Sequence, residues 1–239
     1  MIFQIDVSRI ILVFVVGIIM ASFFLFLGLT TMLRRKTRLN MTFSLFFISI
    51  ALGLIINAAY VVINAIVRSE PLALTLNYVS GFLIFYGTIF MLATNLILLH
   101  SEASYSIRSE LKLTLSYALI LGAMIIFYFF NGIQFNESTD WRPVWSFVYF
   151  LYVLIVSTGF TMIPTTITSM KILRTMKDRA IRRRWLRLMI GLFGLFVYEY
   201  LAFFTNFLNE DTLRTVSSIY SFLVILWVWL IYKGVKKDE

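Results

Sequence analysis

Seven separate apolar runs, each about 20 residues or longer, constrain this chain more than any other feature. A helix needs about 20 consecutive apolar residues to cross a bilayer core, and the runs at roughly 9–33, 40–67, 73–100, 112–131, 144–172, 186–208 and 213–233 each reach that length. Charge or turn chemistry separates them: RRKTR follows Leu33, RSEP spans Arg68 to Pro71, a polar segment covers Asn131 to Pro143, and NEDT covers Asn209 to Thr212. With 60% of residues hydrophobic and 14% charged, the composition lies outside that of soluble domains, which are about half apolar and a quarter charged. The expected fold is all-α, a polytopic membrane protein forming a single seven-transmembrane-helix bundle over residues 1–239. The spans nearly consume the chain, so function is expected within the bundle or its short loops. The first run is too long for a signal-peptide core and is read as the first span.

Alternate loops must face opposite sides of the membrane, and the cations divide unevenly between them. One side receives Arg34, Arg35, Lys36, Arg38, Arg108, Lys112, the basic stretch Lys171–Arg187, Lys233, Lys236 and Lys237, which is 17 of the 21 Lys and Arg residues. The other holds Arg9, Arg68, Arg142 and Arg214, with Asp6, Glu70, Glu137, Asp140, Glu210 and Asp211. Lys and Arg near spans stay cytoplasmic, so the N-terminus is expected outside and the C-terminus in the cytoplasm of a cell-membrane protein. The basic stretch also predicts a helical hairpin reversing near Asp178. Its Lys171, Arg174, Lys177, Arg179, Arg182, Arg183 and Arg184 are candidate contacts for a cytosolic signalling protein or for anionic lipid headgroups. Nucleic acid is not expected, because the charge is spread over several loops at a membrane surface. Trp141, Trp145 and Trp185 fit interfacial aromatic belts, and Pro143 suits the first turn of the fifth helix with Asp140 as its cap.

Polar side chains within spans are expected to face the bundle interior. On the second span Ser49, Gly53, Asn57, Tyr60 and Asn64 share one helical face, as do Asn77, Gly81, Thr88 and Asn95 on the third. Ser157, Thr161, Thr165 and Thr168 line up around Pro164 on the fifth, and Ser217 or Ser218 stacks with Ser221 on the seventh. The first and fourth spans carry few polar residues and are expected at the periphery. Pro164 is a candidate hinge, with Thr161 and Thr165 expected to satisfy the carbonyls it frees.

Glu199 is the one acid or base deep within a span. At 1.5 Å rise per residue it sits within a few Å of the midplane, and a carboxyl at that depth points to a functional site. It is expected to hydrogen-bond Asn57, Thr158 or Ser221. Asn206 shares its face and Tyr198 and Tyr200 flank it, so Glu199, Asn57, Tyr60, Thr158, Tyr198, Asn206 and Ser221 form the candidate site for a small amphipathic ligand. Catalysis, a metal and a cofactor are not expected: the sequence has one histidine, His100, and no cysteine, and it lacks nucleophile-elbow, zinc-protease and phosphate-loop motifs. Asn136-Glu137-Ser138 matches the acceptor pattern for N-glycosylation.

Two seven-helix families are excluded by motif. The seventh span holds no lysine for a retinal Schiff base, and LLHSEAS and WVWLIYKG replace the motifs that end the third and seventh spans of rhodopsin-like receptors. The first hairpin, FLGLTTMLRRKTRLNMTFSLFFISIALGL (Phe26–Leu54), and the overall layout resemble the seven-helix sensor modules that precede prokaryotic histidine kinases. That resemblance implies a receptor or sensor passing a signal from an outer-half pocket to the basic hairpin and a separate partner. The alternatives are a small transporter or channel conducting past Glu199, and a non-catalytic scaffold subunit.

Overall fold

The computed structural model describes residues 11–34, 36–67, 69–139 and 141–235. Expectations placed on Asp6, Arg9, Arg35, Arg68, Asp140, Lys236, Lys237 and the Asn64 side chain fall outside the described residues. Helix α1 (Ile18–Arg34) follows a π-helical turn at Ile11–Gly17, and α2 (Arg38–Val67) and α3 (Glu70–Ser104) follow it. Helix α4 (Ile107–Gly122) runs on as a tighter 3-10 turn through Ala123–Tyr128. Helices α5 (Phe147–Ser157) and α6 (Ile163–Thr175) are joined through a π-helical turn at Thr158–Met162, and α7 (Arg179–Leu208) and α8 (Asp211–Val235) complete the chain. Seven of these rods are long and apolar enough to cross a membrane, α5 and α6 together making the fifth, Phe147–Thr175. Their outward faces are apolar, as Leu115, Leu119, Phe160, Ile219 and Phe222 show by their exposure. Lipid tails suit such faces; water would not.

Small residues bring the rods together, since association in hydrocarbon depends on close packing and interhelical hydrogen bonds. On α2, a Cβ at Gly53 would fall 2.9 Å from the Ser80 carbonyl oxygen of α3. The same contact is tied by Ser80 Oγ donating to Gly53 O at 2.8 Å and Ser49 Oγ donating to Leu83 O at 2.8 Å. Helices α7 and α8 pair likewise: a Cβ at Gly191 would lie 2.5 Å from Trp227 O, and Tyr220 OH donates to Gly194 O at 3.1 Å. The first span departs from the peripheral position expected of it. Val16, Met20, Phe24 and Leu27 are buried, with Phe24 stacked on Phe47 at 5.9 Å between ring centroids. Aromatic packing, which leaves no polar signature in sequence, draws this span inward.

The end of the bundle that carries the Asp178 reversal is its basic end. Asp178 accepts from Ala180 N at 2.7 Å and so caps α7, with the chain turning at Met176–Asp178. Trp185 Nε1 donates to Ser169 O at 3.0 Å across this hairpin. Arg34 and Arg184 both donate to Val235 O at 3.1 Å, which satisfies a carbonyl at the end of α8. A clasp joins α2 to α4: Arg38 Nε lies 2.6 Å from Glu110 Oε2, Thr42 Oγ1 donates to Glu110 Oε1 at 2.5 Å, and Arg38 also donates to the Tyr105 and Ser106 carbonyls. Ser106 caps α4 by accepting from Ser109 N at 3.1 Å, which starts the fourth helix at Ile107, earlier than the apolar run begins.

At the opposite, far end, the α4–α5 connection forms a short antiparallel pair, β1 (Ile133–Gln134) with β2 (Val144–Trp145), in which Ile133 faces Trp145. This revises the expected start of the fifth helix. Ser146 caps α5 by accepting from Tyr149 N at 3.3 Å, and Pro143 precedes β2 instead of opening the helix. Proline's lack of an N–H suits that position equally.

Candidate functional site

The polar stripes of α2, α3, α7 and α8 converge in the far half of the bundle on a cavity of about 290 Å³. The size is near the lower bound, about 300 Å³, of sites that hold small molecules. By helical rise from the far ends of α2, α3 and α7, Ile50, Ile84, Phe85, Thr88 and Leu195 form its deep level. Asn57, Tyr60, Asn77, Tyr198, Glu199 and Ala202 line its middle, and Asn206, Arg142, Pro143 and Arg214 its far level. Apolar walls with a few polar groups converging from different helices are the general form of a ligand site.

Five of the residues singled out from sequence therefore line one cavity: Glu199, Asn57, Tyr60, Tyr198 and Asn206. Glu199 Oε1 is enclosed and has no hydrogen-bond partner within the protein. Its expected bonds to Asn57, Thr158 and Ser221 do not form there. Thr158 and Ser221 are corrections to the site. Thr158 Oγ1 lies 2.8 Å from Tyr200 OH, because Tyr200 is turned about 100° around α7 from Glu199 and faces the π-helical turn after α5. Ser221 Oγ donates to Ser218 O at 2.6 Å within its own helix, leaving Ser217 and Ser218 as the α8 hydroxyls on the cavity.

Residues not chosen from sequence complete the wall. Trp145, expected in an interfacial belt, is instead buried, packed edge-on against Tyr149 at 5.0 Å and tilted against Phe203 at 5.7 Å. The β1–β2 pairing turns it inward, and nothing in its local sequence signals that pairing. Arg142 and Arg214, loop charges in the sequence, also line this wall. Arg142 Nη1 lies 3.9 Å from Asp211 Oδ1, and Arg214 Nη2 donates to Asn209 Oδ1.

Nearer the basic end the polar stripes meet each other. Asn95, fully buried, donates to Thr165 O at 3.2 Å, Thr168 Oγ1 at 3.0 Å and Ser169 Oγ at 2.8 Å, tying α3 to α6. Pro164 opens α6 just after the π-helical turn. The carbonyl arrangement differs from the one expected: Thr161 Oγ1 donates to Ser157 O at 2.7 Å, and Thr165 Oγ1 is buried without a partner within the protein. The extra residue of the π turn, not a pair of threonines, absorbs the missing N–H. Of the basic-hairpin residues, Lys171, Arg174, Lys177, Arg179, Arg182 and Arg183 are exposed, whereas Arg184 is half-buried and engaged with Val235 O. No family model, no curated protein and no solved structure matches the chain.

Proposed function

We propose that this chain is a seven-transmembrane receptor or sensor of the cell membrane, with its N-terminus outside and its C-terminus cytoplasmic. A small amphipathic ligand enters the far-half cavity, and α6 and α7 shift their basic hairpin against a separate cytosolic partner. The observation that carries this reading is the enclosed, unpartnered Glu199 oxygen in a cavity that also reaches Arg142 and Arg214. A buried polar group without a partner is costly, and a ligand that satisfies it gains that difference. Orientation rests on charge: the described cations Arg34, Lys36, Arg38, Arg108, Lys112, Lys233 and those of the hairpin gather at one end, where anionic headgroups favour them.

Signalling is favoured over conduction by what lies between the cavity and the basic end. Asn95, Thr165 and Ser169 are buried, and the Asn95 amide donates to the Thr165 carbonyl and to Ser169 Oγ, so the polar line there joins α3 to α6. The π turn above Pro164 sits between the cavity wall at Tyr149 and the hairpin, and it supplies a point at which α5 and α6 move separately. The test labels Lys36→Cys and Lys177→Cys in a chain that has no other cysteine, and fills the cavity from within by Ala202→Trp. The expected result is a change of a few Å in the label separation, about that of a helix shift. An unchanged separation in a folded variant, or solute flux into proteoliposomes abolished by Glu199→Gln, would overturn the proposal in favour of a scaffold or a transporter.

A further inference from the structure

The cations of the basic hairpin continue two apolar stripes that face away from the bundle. On α6, Ile163, Ile167, Met170 and Arg174 recur at helical spacing and are all exposed, so Arg174 ends an outward-facing apolar stripe. On α7, Arg179, Arg183, Leu186, Ile190 and Val197 recur at the same spacing, again all exposed. Trp185 turns toward α6, where it donates to Ser169 O, and Arg184 toward α8, where it donates to Val235 O. Arg179 and Arg183 lie on the remaining, outer side of α7. Both stripes thus begin in side chains suited to hydrocarbon and finish in arginines at the basic end.

These arginines have no balancing acid. Among the described residues, no Asp or Glu forms an ion pair with Arg174, Arg179 or Arg183. Asp178, the one acid of the hairpin, uses its carboxylate on the α7 N-terminus, accepting from Ala180 N and Ile181 N. The first turn of α7 holds no acid, and cations there oppose the positive end of the helix dipole. An external anion relieves that conflict.

We infer that the two stripes form a binding surface for an anionic phospholipid. Arg174, Arg179 and Arg183 hold its phosphate and headgroup charge, and its acyl chains lie along Ile167, Met170, Leu186 and Ile190. The planar fork of arginine matches a phosphate through paired hydrogen bonds. Free phosphate or an acidic soluble protein satisfies the arginines and leaves the adjoining apolar residues uncovered; a phospholipid matches both in one molecule. This surface goes beyond the proposed signalling and does not require it, since it stands whether the cavity signals, conducts or does neither.

The experiment reconstitutes the full chain in phosphatidylcholine bilayers. Electron spin resonance then measures the association of spin-labelled phosphatidylglycerol relative to spin-labelled phosphatidylcholine. A preference of about fivefold is expected, the factor that one cation near a membrane surface supplies. Replacing Arg174, Arg179 and Arg183 together by Gln is expected to bring it below about twofold, and replacing them by Lys to retain most of it. Lys177→Gln removes a charge from the turn and is expected to leave the preference unchanged. Salt at about 1 M, where the Debye length is about 3 Å, is expected to erase most of it; millimolar inorganic phosphate is not expected to compete. Equal association of the two lipids would overturn the inference in favour of a soluble acidic partner, and displacement by phosphate in favour of a free-phosphate site. A loss from Lys177→Gln equal to that from the triple substitution would overturn it as well. If the triple Gln variant does not fold, the Lys variant, the salt series and the lipid comparison on the unmodified chain decide the matter.

Discussion

At the residue scale, the cavity depends on side chains whose roles differ by their position on one helix. Glu199, Ala202 and Asn206 share the α7 face that lines the cavity, while the neighbouring Tyr200 hydroxyl meets Thr158 in the π-helical turn after α5. Tyr200→Phe is therefore expected to cost about 1 kcal/mol, the usual net worth of one hydrogen bond, without altering ligand affinity; melting and calorimetry on the same preparation check both. Gly191→Val is expected to be far worse. Its side chain would be driven into Trp227 O and Ile231, and overpacking of this kind costs about 1–3 kcal/mol. A lower melting temperature with weakened α7–α8 pairing is the readout. Glu199 was legible in the sequence because a lone carboxyl at mid-span has few explanations. Trp145 was not, because an indole near a span boundary reads the same whether it meets lipid or folds inward.

At the element scale, the clasp at the basic end joins two hairpins. Arg38, Thr42 and Glu110 are held together across α2 and α4, with the Arg38 guanidinium 5.6 Å from the Tyr105 ring centroid. Burial pushes the Tyr105 phenol above its ordinary value of 10.0; Glu110 adds to the rise and Arg38 opposes it. A tyrosine raised in the folded state binds its proton more tightly there than when unfolded. Its contribution to stability is thus complete below about pH 10 and is lost as pH climbs through the higher folded value. Stability measured from pH 9 to 12 should fall less steeply in Tyr105→Phe than in the unmodified chain. Removing the acid is a stronger test: Glu110→Ala leaves Arg38 without its carboxylate and is expected to cost about 2 kcal/mol, below the roughly 3–5 kcal/mol of a fully buried pair because this one is partly exposed. The element boundaries illustrate what hydropathy misses. Ser106 and Ser146 start α4 and α5, and a cap acts through one hydrogen bond that an apolar count does not register.

At the scale of the whole molecule, topology is the decisive property. A single cysteine at Ser138→Cys is expected to react with a membrane-impermeant maleimide added outside intact cells, and one at Arg183→Cys only after permeabilisation; the reverse pattern would invert the proposed orientation. The sequence by itself determined that there are seven helical rods and which of their faces hold polar groups, because the length of an apolar run and the 3.6-residue period are local properties. It also put Glu199 at mid-span by counting along one helix. Only the tertiary structure decided that α1 belongs to the core, that Thr158 and Ser221 leave the cavity while Trp145, Arg142 and Arg214 join it, and that Thr161 and Thr165 do not repair the helix at Pro164. Those outcomes depend on the rotation of each rod against its neighbours and on a two-residue strand pairing between distant segments. Such contacts join residues far apart along the chain, and no local periodicity encodes them.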